Sequence, residues 1–520
     1  MTDAAAQTEA KSGPVLAADG RPLKASLRRA LRAQKIRALL LIAPLLLFIM
    51  ITFILPIADM LFRSVENQIV SETLPRTVVA LEDWEDHDQP PSEDVYAALY
   101  YDLFEAAEFR IHSRVGSRLN YEMTGVSSLF RQSGRGVGRF DTDIYTDQFT
   151  ELNADWAVPR VWATLMEDES VRAALPETAS AYDGWVNVTI EANEDDPLEE
   201  DVEDYVYTAL YRDLAARGYD GSNAMLSEAA EAVGAFETVS LREQFAEIDE
   251  DWLDPAVFET IWVYSPNYTA GYFLTAVDLQ LTADGIEPQS EDLRVYLTLF
   301  KRTMFMSLVI MGSCVLLGYP IAFLLANLPM RISNILLILV LLPFWTSLLV
   351  RTSAWKVLLQ QQGVINDILV WIGLVADNDR LALINNQTGT IIAMTHILLP
   401  FMILPLYSVM QTIPPSYVRA AKSLGATDWT AFWRVYFPQS VPGIGAGCIL
   451  VFILAIGYYI TPELVGGRTG TFISNRIAYH ISTSLNWGLA AALGSILLIL
   501  VLALYWAYDR IVGIDNVKLG

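Results

Sequence analysis

Six apolar runs, at 38–61, 304–326, 335–350, 390–410, 442–460 and 489–508, constrain this chain more than any other feature. Each approaches the roughly 20 residues that a helix needs to cross about 30 Å of hydrocarbon. Backbone polar groups in lipid must be satisfied within the segment itself, so such runs fold as helices. The third is the shortest, and its ends are the least sharply marked. The 520-residue chain is 53% hydrophobic, yet its formal net charge is −25. These facts are compatible only if the charge is segregated. Residues 65–298 hold 49 Asp and Glu against 13 Arg and no Lys, a net of −36, and the remainder carries a net of +11. An acidic, water-facing block is set into a slightly basic, apolar frame.

Arg21, Lys24, Arg28, Arg29, Arg32, Lys35 and Arg37 precede the first run, which by the positive-inside bias places the N-terminus in the cytoplasm. That run is too long for a secretory signal and ends in "LPIADMLFRS" without a small-residue cleavage site, so a retained helix is expected. The expected organisation is a basic cytoplasmic tail (1–37), a first transmembrane helix (38–64), an external insertion (65–298) and a core with helices 2–6 (299–513). A cytoplasmic tail (514–520) closes the chain. Within the core, 328–333 and a loop at 412–441 fall inside and 352–389 outside. Arg331, Arg419, Lys422 and Arg434 agree with this topology; Lys301 and Arg302 go against the bias. The expected fold class is an all-α polytopic membrane protein with six transmembrane helices and a large, mainly helical external insertion between helices 1 and 2. Both cysteines, Cys314 and Cys448, lie in apolar runs, so the insertion has no disulfide to staple it. It must build its own core, and more than 200 residues suffice.

The insertion repeats itself. "EDVYAALYYDL" from Glu93 recurs as "EDYVYTALYRDL" from Glu203, and "DQFTELNADWAVPRVW" from Asp147 recurs as "EQFAEIDEDWLDPAVF" from Glu243. "LPRT" at Leu74 and "LPET" at Leu175 stand ahead of Trp84 and Trp185. The order is kept at offsets near 100 residues, which defines two tandem copies at about 71–165 and 172–263. Helical spacing puts Val95, Leu99, Leu103 and Ala106 on one face, and groups Phe245, Ile248 and Trp252 similarly. The acidity is that of any solvated face, or else marks a surface that docks a partner or concentrates cations.

Several chemistries are missing. There is no GxxxxGK[ST] phosphate loop. The four histidines, His87, His112, His396 and His480, show no metal-ligand spacing, and no Ser-His-Asp or Cys-His set assembles. Basic patches with interleaved aromatics are absent, which argues against nucleic acid as a partner. The chain reads as non-catalytic, with no cofactor and no metal of its own.

Between the fourth and fifth runs lies "SYVRAAKSLGATDWTAFWRVYFP", too polar to span and too patterned for a passive loop. It reads as two short helices meeting at Gly425, with Val418, Ala421 and Leu424 as a small apolar face before it. Trp429, Phe432, Trp433 and Tyr436 form a larger one after it. Pro438 and Pro442 are expected to stop that helix and start the next span. The segment resembles the coupling loop of ABC importer permeases: Ala420, Ala421, Gly425, Ala426, Phe432, Val435, Pro438, Pro442 and Gly443 match its pattern in order. Arg419 stands where that pattern has Glu, and Phe437 where it has Leu. "LGYPIAFLLAN" (317–327), "LPFWTSLLVRTSAW" (342–355), "LPFMILPLYSVMQTIPP" (399–415) and "YYITPELVGG" (458–467) are similar to the spermidine/putrescine branch. The resemblance implies a multi-pass permease in a bacterial inner membrane; the alternating topology then puts residues 65–298 in the periplasm. It also implies a second permease subunit, cytoplasmic ATPases that bind ATP and Mg and receive residues 416–437, and a periplasmic substrate-binding protein. The insertion lies outside the resemblance.

Polar groups at membrane depth cost roughly 2.5–3.5 kcal/mol for a central charge, so they point to function. Glu463, beside Tyr458 and Tyr459, suits a cationic amine through charge and cation–π attraction. Trp345, Thr346, Arg351 and Trp355 lie toward the outer end of the third run and complete the candidate pathway. Arg351 would repel a polyamine unless paired. Interface belts and snorkelling give each residue a purely structural alternative. His396 reads as a packed, hydrogen-bonded residue. Pro320, Pro400 and Pro405 predict kinks, and Gly443, Gly445 and Gly447 predict close helix approach, as at a subunit interface. Two other functions fit the sequence: a membrane-anchored receptor or structural protein whose acidic repeats bind an external ligand, and an ion-driven secondary transporter.

Overall fold

A computed structural model describes residues 23–291 and 293–512; the expected tail at 514–520 and residues 1–22 of the N-terminal tail lie outside the described residues. The chain forms two units, divided between Arg63 and Ser64. The first is a helical run, Leu23–Ile49, a π-turn at Met50–Ile54, and Leu55–Arg63. Thr52 Oγ1 donates to Phe48 O inside it, and Asp59 accepts from Arg63 Nε at 3.0 Å.

The second unit holds the insertion and the remaining membrane-length helices. Tyr296–Asn327, Gln387–Gln411, the continuous run Asp428–Gly457 and Trp487–Tyr508 are each long and apolar enough to cross a membrane. The third run does not form one rod. Met330–Trp345 and Leu348–Leu358 meet at a 95° bend, so the span is broken, and Arg351 and Trp355 sit on the second arm. Three of the long helices pack around Met306, Ile310, Cys314, Met394, Met402, Leu406 and Val451, all buried. Gly318 meets Met402, and Cβ atoms at Gly443 and Gly447 would run into Val409 and Met402. Gly443 and Gly447 of the glycine ladder are therefore used within the chain, where they bring two helices together.

Pro438 and Pro442 do not interrupt the fifth span. The helix runs from Asp428 through both prolines, with a π-turn at Phe432–Tyr436 directly before them. For Pro438 the i→i−4 ladder is already displaced there, so its missing N–H costs little, while Pro442 sits inside the regular helix Phe437–Gly457.

The insertion is helical, as expected, apart from a hairpin pairing Leu279–Thr282 with Gly285–Pro288. Its matched sequences occupy matched elements. Glu93–Glu108 corresponds to Asp204–Arg217, Asp143–Leu152 to Leu241–Ile248, and Pro159–Glu167 to Pro255–Val263. Glu93–Glu108 is buried on nearly every side, including Tyr96, Tyr100 and Tyr101, well beyond the single face that the spacing marks. Trp252 lies in a 3₁₀ turn, Glu250–Leu253, rather than on the preceding helix.

Packing crosses between the copies. Tyr96, in the first, donates to Trp252 O of the second at 2.7 Å, and Tyr207, in the second, donates to Trp156 O of the first at 2.7 Å. Around each tyrosine sits the other copy's aromatic set: Phe245, Trp252 and Phe258 for Tyr96, and Phe149, Trp156 and Trp162 for Tyr207. By contrast, the Thr77–Asp102 and Thr178–Asp213 bonds stay within a copy. The folded halves are thus offset from the sequence copies. Residues 143–236 form one half without interruption, and 69–140 with 241–263 form the other. One continuous core spans both.

Where the chain enters and leaves, Asn67 N donates to Asn267 O and Thr269 N to Val65 O, both at 2.9 Å. A buried joint fastens this neck: Arg118 pairs with Glu122 at 2.8 Å, donates to Asn67 Oδ1 at 2.9 Å, and lies over the Tyr264 and Tyr272 rings. Tyr121 donates to Ser484 O at 2.5 Å, and the Tyr272 ring lies against Gly488, so the insertion bears on the outermost turns of the bundle. Asp278 then starts the next long helix by accepting from the N–H groups of Val295, Tyr296 and Leu297.

Candidate functional site

Two regions carry the residues singled out from the sequence. In the first, Pro415–Ser423 is a helix that ends in a Schellman turn. Ala426 N donates to Ala421 O at 3.1 Å and Gly425 N to Lys422 O at 3.0 Å. Gly425 has φ +91°, a region that residues with a Cβ resist. Thr427 caps the next helix through a bond from Thr430 N at 3.3 Å, and Lys422 pairs with Asp428 across the turn.

The aromatic arm divides. Phe432 and Tyr436 pack on Tyr319 and Phe323 of the helix Tyr296–Asn327, while Trp429 and Trp433 meet edge to face and are exposed. Leu424 is 90% exposed and Trp429 72%. Arg419, Ala420 and Pro438 are exposed, and Ala421 and Ala426 half-buried. The result is a rigid knob, seated on the bundle by two aromatics and presenting Tyr417, Leu424, Trp429 and Trp433 with the charges of Arg419 and Arg434.

In the second region, the Leu348–Leu358 arm packs on Ile460–Val465 through a hydroxyl contact between Thr352 and Thr461, 3.1 Å apart. Trp355 Nε1 donates to His396 Nδ1 at 3.0 Å, so that ring nitrogen is the acceptor and Nε2 carries the proton. Arg351 lies within electrostatic reach of His396 and Tyr458. Asn475 Nδ2 donates to Glu463 Oε2 at 2.6 Å and to Tyr459 O at 3.0 Å, and Ser474 donates to Tyr458 O at 3.2 Å. The short helix Ile473–Ser482 thereby positions the Tyr458–Glu463 segment, leaving Glu463 exposed and Tyr459 46% exposed.

Trp345 and Thr346 stand at the 95° bend; Trp345 is 77% exposed, and Thr346 donates to Pro343 O. The structure therefore gathers Arg351, Trp355, Tyr458, Tyr459 and Glu463 around Thr352–Thr461, with Trp345 and Thr346 on the adjoining turn. Asn475, Ser474, Thr352 and Thr461 escaped the sequence reading. Isolated Asn, Ser and Thr carry no periodic signal, and only "FISN" beside a helix start hinted at a structured turn. His396 is hydrogen-bonded, as expected, but it is exposed rather than packed.

Comparison with known proteins bears on both regions. Residues 318–512 match the family described as binding-protein-dependent transport system inner membrane component. The chain is 35% identical over 222 residues to the spermidine/putrescine transport system permease protein PotB of Salmonella typhimurium, covering 42% of this chain and 77% of the relative. It is 37% identical over 197 residues to PotB of Haemophilus influenzae, covering 38% and 68%. It is also 32% identical over 259 residues to the inner membrane ABC transporter permease protein YdcU of Escherichia coli, covering 47% and 80%. The insertion lies outside the matched residues 318–512. With its membrane helices, its capped and aromatic loop, and this likeness over most of each relative's length, the chain belongs to the family of binding-protein-dependent inner-membrane transport components, the non-catalytic permease subunits of ABC importers.

Proposed function

We propose that this chain forms the translocation pathway for a polyamine or a related small cationic or amino solute. A periplasmic binding protein delivers the solute, and cytoplasmic ATPases, which bind the ATP and Mg, drive its passage. The N-terminus and residues 412–441 face the cytoplasm, and residues 65–298, two tandem modules, face the periplasm beside the binding protein. A second permease subunit completes the pathway.

The observation that carries this reading is the knob at 416–437. It is stiffened by the Gly425 turn, seated by Phe432 and Tyr436, and where it is open presents Tyr417, Leu424, Trp429 and Trp433 among exposed charges such as Arg419 and Arg434. A cytoplasmic ATPase cleft that takes Arg419, Ala420, Ala421, Gly425 and Ala426 can push the bundle through the Phe432 contacts and the helix that runs on through Pro438. Glu463 is the attractive charge for an amine, with Tyr458 and Tyr459 beside it and Trp345, Thr346 and Trp355 along the approach. The similarity to PotB supports the choice of cargo.

The test is uptake of radiolabelled putrescine and spermidine by the reconstituted complex. ATP-dependent uptake is expected, with deletion of 416–437 abolishing it and Glu463→Gln lowering it at least about ten-fold, the loss of one charged contact. Uptake that survives the deletion, or that runs on an ion gradient without ATP, refutes the coupling. A Glu463→Gln variant that matches the parent refutes the pathway.

A further inference from the structure

Arg351 stands apart from the arginines that pair with carboxylates. Arg76 pairs with Asp102 and Glu105, Arg118 with Glu122, Arg212 with Glu177 and Asp94, and Arg380 with Asp367 and Asp377. The Arg351 Nε and Nη1 atoms are shielded from solvent, yet neither has a hydrogen-bond partner among the described residues. Its neighbours do not answer the charge. His396 Nδ1 is already taken by Trp355, its Nε2 carries a proton, and Tyr458 is a neutral phenol. The residue is only partly covered, on an arm whose other side chains, Leu349 and Val350, are exposed and apolar. The shielded Nε–Nη1 edge of a guanidinium needs hydrogen-bond acceptors, and the anion that best fits it is a carboxylate.

We infer that Arg351 is one half of an intersubunit ion pair, its carboxylate supplied by the second permease subunit across the pathway. The inference rests on the permease reading above. Charge decides between sources: a polyamine cannot neutralise Arg351, whereas a subunit facing the same pathway can. With Arg351 paired, the attraction of Glu463 for an amine is no longer opposed, so the pair also keeps the route passable for a cation.

The test uses the full transporter, purified through a tag on the second permease subunit. Arg351→Gln is expected to lower the amount of this chain that co-purifies by at least about ten-fold, because it leaves a carboxylate unpaired. Arg351→Lys should restore much of the loss. Selection for uptake in an Arg351→Glu background should return suppressors that change an acidic residue of the second subunit to Lys or Arg; this arm separates pairing from misfolding. Parental recovery of Arg351→Gln overturns the inference, as do suppressors confined to other positions. Intact assembly with selective loss of 4-aminobutyrate uptake also overturns it and assigns the anion to the cargo. A parental complex that assembles but takes up no putrescine refutes the proposed cargo, while co-purification still decides the ion pair.

Discussion

Gly425 has φ +91° and nothing within 4 Å of the position a Cβ would take, so its replacement meets a backbone penalty and no clash. Gly425→Ala should therefore cost about 1–2 kcal/mol in the loop conformation and reduce uptake several-fold, with Gly425→Asn milder. Uptake rates of the two variants, normalised to assembled complex, check this. A different residue controls a pH response. Asp102 is buried against Arg76 and Thr77, and burial pushes its pKa up to about 7 despite the arginine. The unfolded chain takes that proton only near pH 4, so the folded insertion binds more protons between pH 4 and 7, and its stability rises as pH falls through that window. Tryptophan-monitored unfolding of the full chain should show a midpoint about 5 °C higher at pH 5.5 than at pH 8. Asp102→Asn should remove most of that difference. Of these two residues, Gly425 was legible in the sequence, because a glycine between two helical patterns marks a turn. Asp102 was not: its burial depends on a neighbouring helix that no local spacing reveals.

At the scale of elements, hydropathy placed the helices Gln34–Arg63, Gln387–Gln411 and Trp487–Tyr508 to within about four residues, whereas the second begins well before its apolar run, at Tyr296, and the fifth earlier still, at Asp428. The third run looks continuous because both arms are apolar, but the chain turns 95° between Trp345 and Leu348. Helical spacing likewise grouped Trp429, Phe432, Trp433 and Tyr436, although only Phe432 and Tyr436 find a helix to cover them. The repeats make the sharpest contrast. Sequence copies at 71–165 and 172–263 separate Trp156 from Tyr207 and Trp252 from Tyr96, whereas 143–236 keeps one aromatic cage whole. Expressed alone, 143–236 should show helical circular dichroism and a cooperative melt, and 71–165 should not. Equal behaviour of the two fragments would contradict the exchanged packing.

For the whole molecule, the insertion enters and leaves through adjacent segments at 65–67 and 267–269, joined by backbone hydrogen bonds around a single Glu66–Tyr268 bridge. Replacing 68–266 by a short Gly-Ser linker thus closes a gap that is already narrow, with little loop entropy to spend. The shortened chain should insert into membranes and elute from size exclusion as a folded species, though it loses the Arg118 and Tyr121 contacts that steady Tyr272 and Ser484. Aggregation of that chain would show that the buried joint, and not only the bundle core, is required for folding.

The sequence by itself determined five membrane-length apolar helices, the acidic insertion and its duplication, and the loop at 416–437 with its glycine turn. Each depends on patterns that are local in the chain: hydropathy over 20 residues, charge over a segment, or residues at helical spacing. Only the tertiary structure decided that the copies exchange their aromatic cages, that the third run bends by 95°, that Asn475 holds Glu463, and that Arg351 has no counter-ion among the described residues. Those facts arise between segments distant in sequence, where packing and desolvation choose the partner and spacing carries no information.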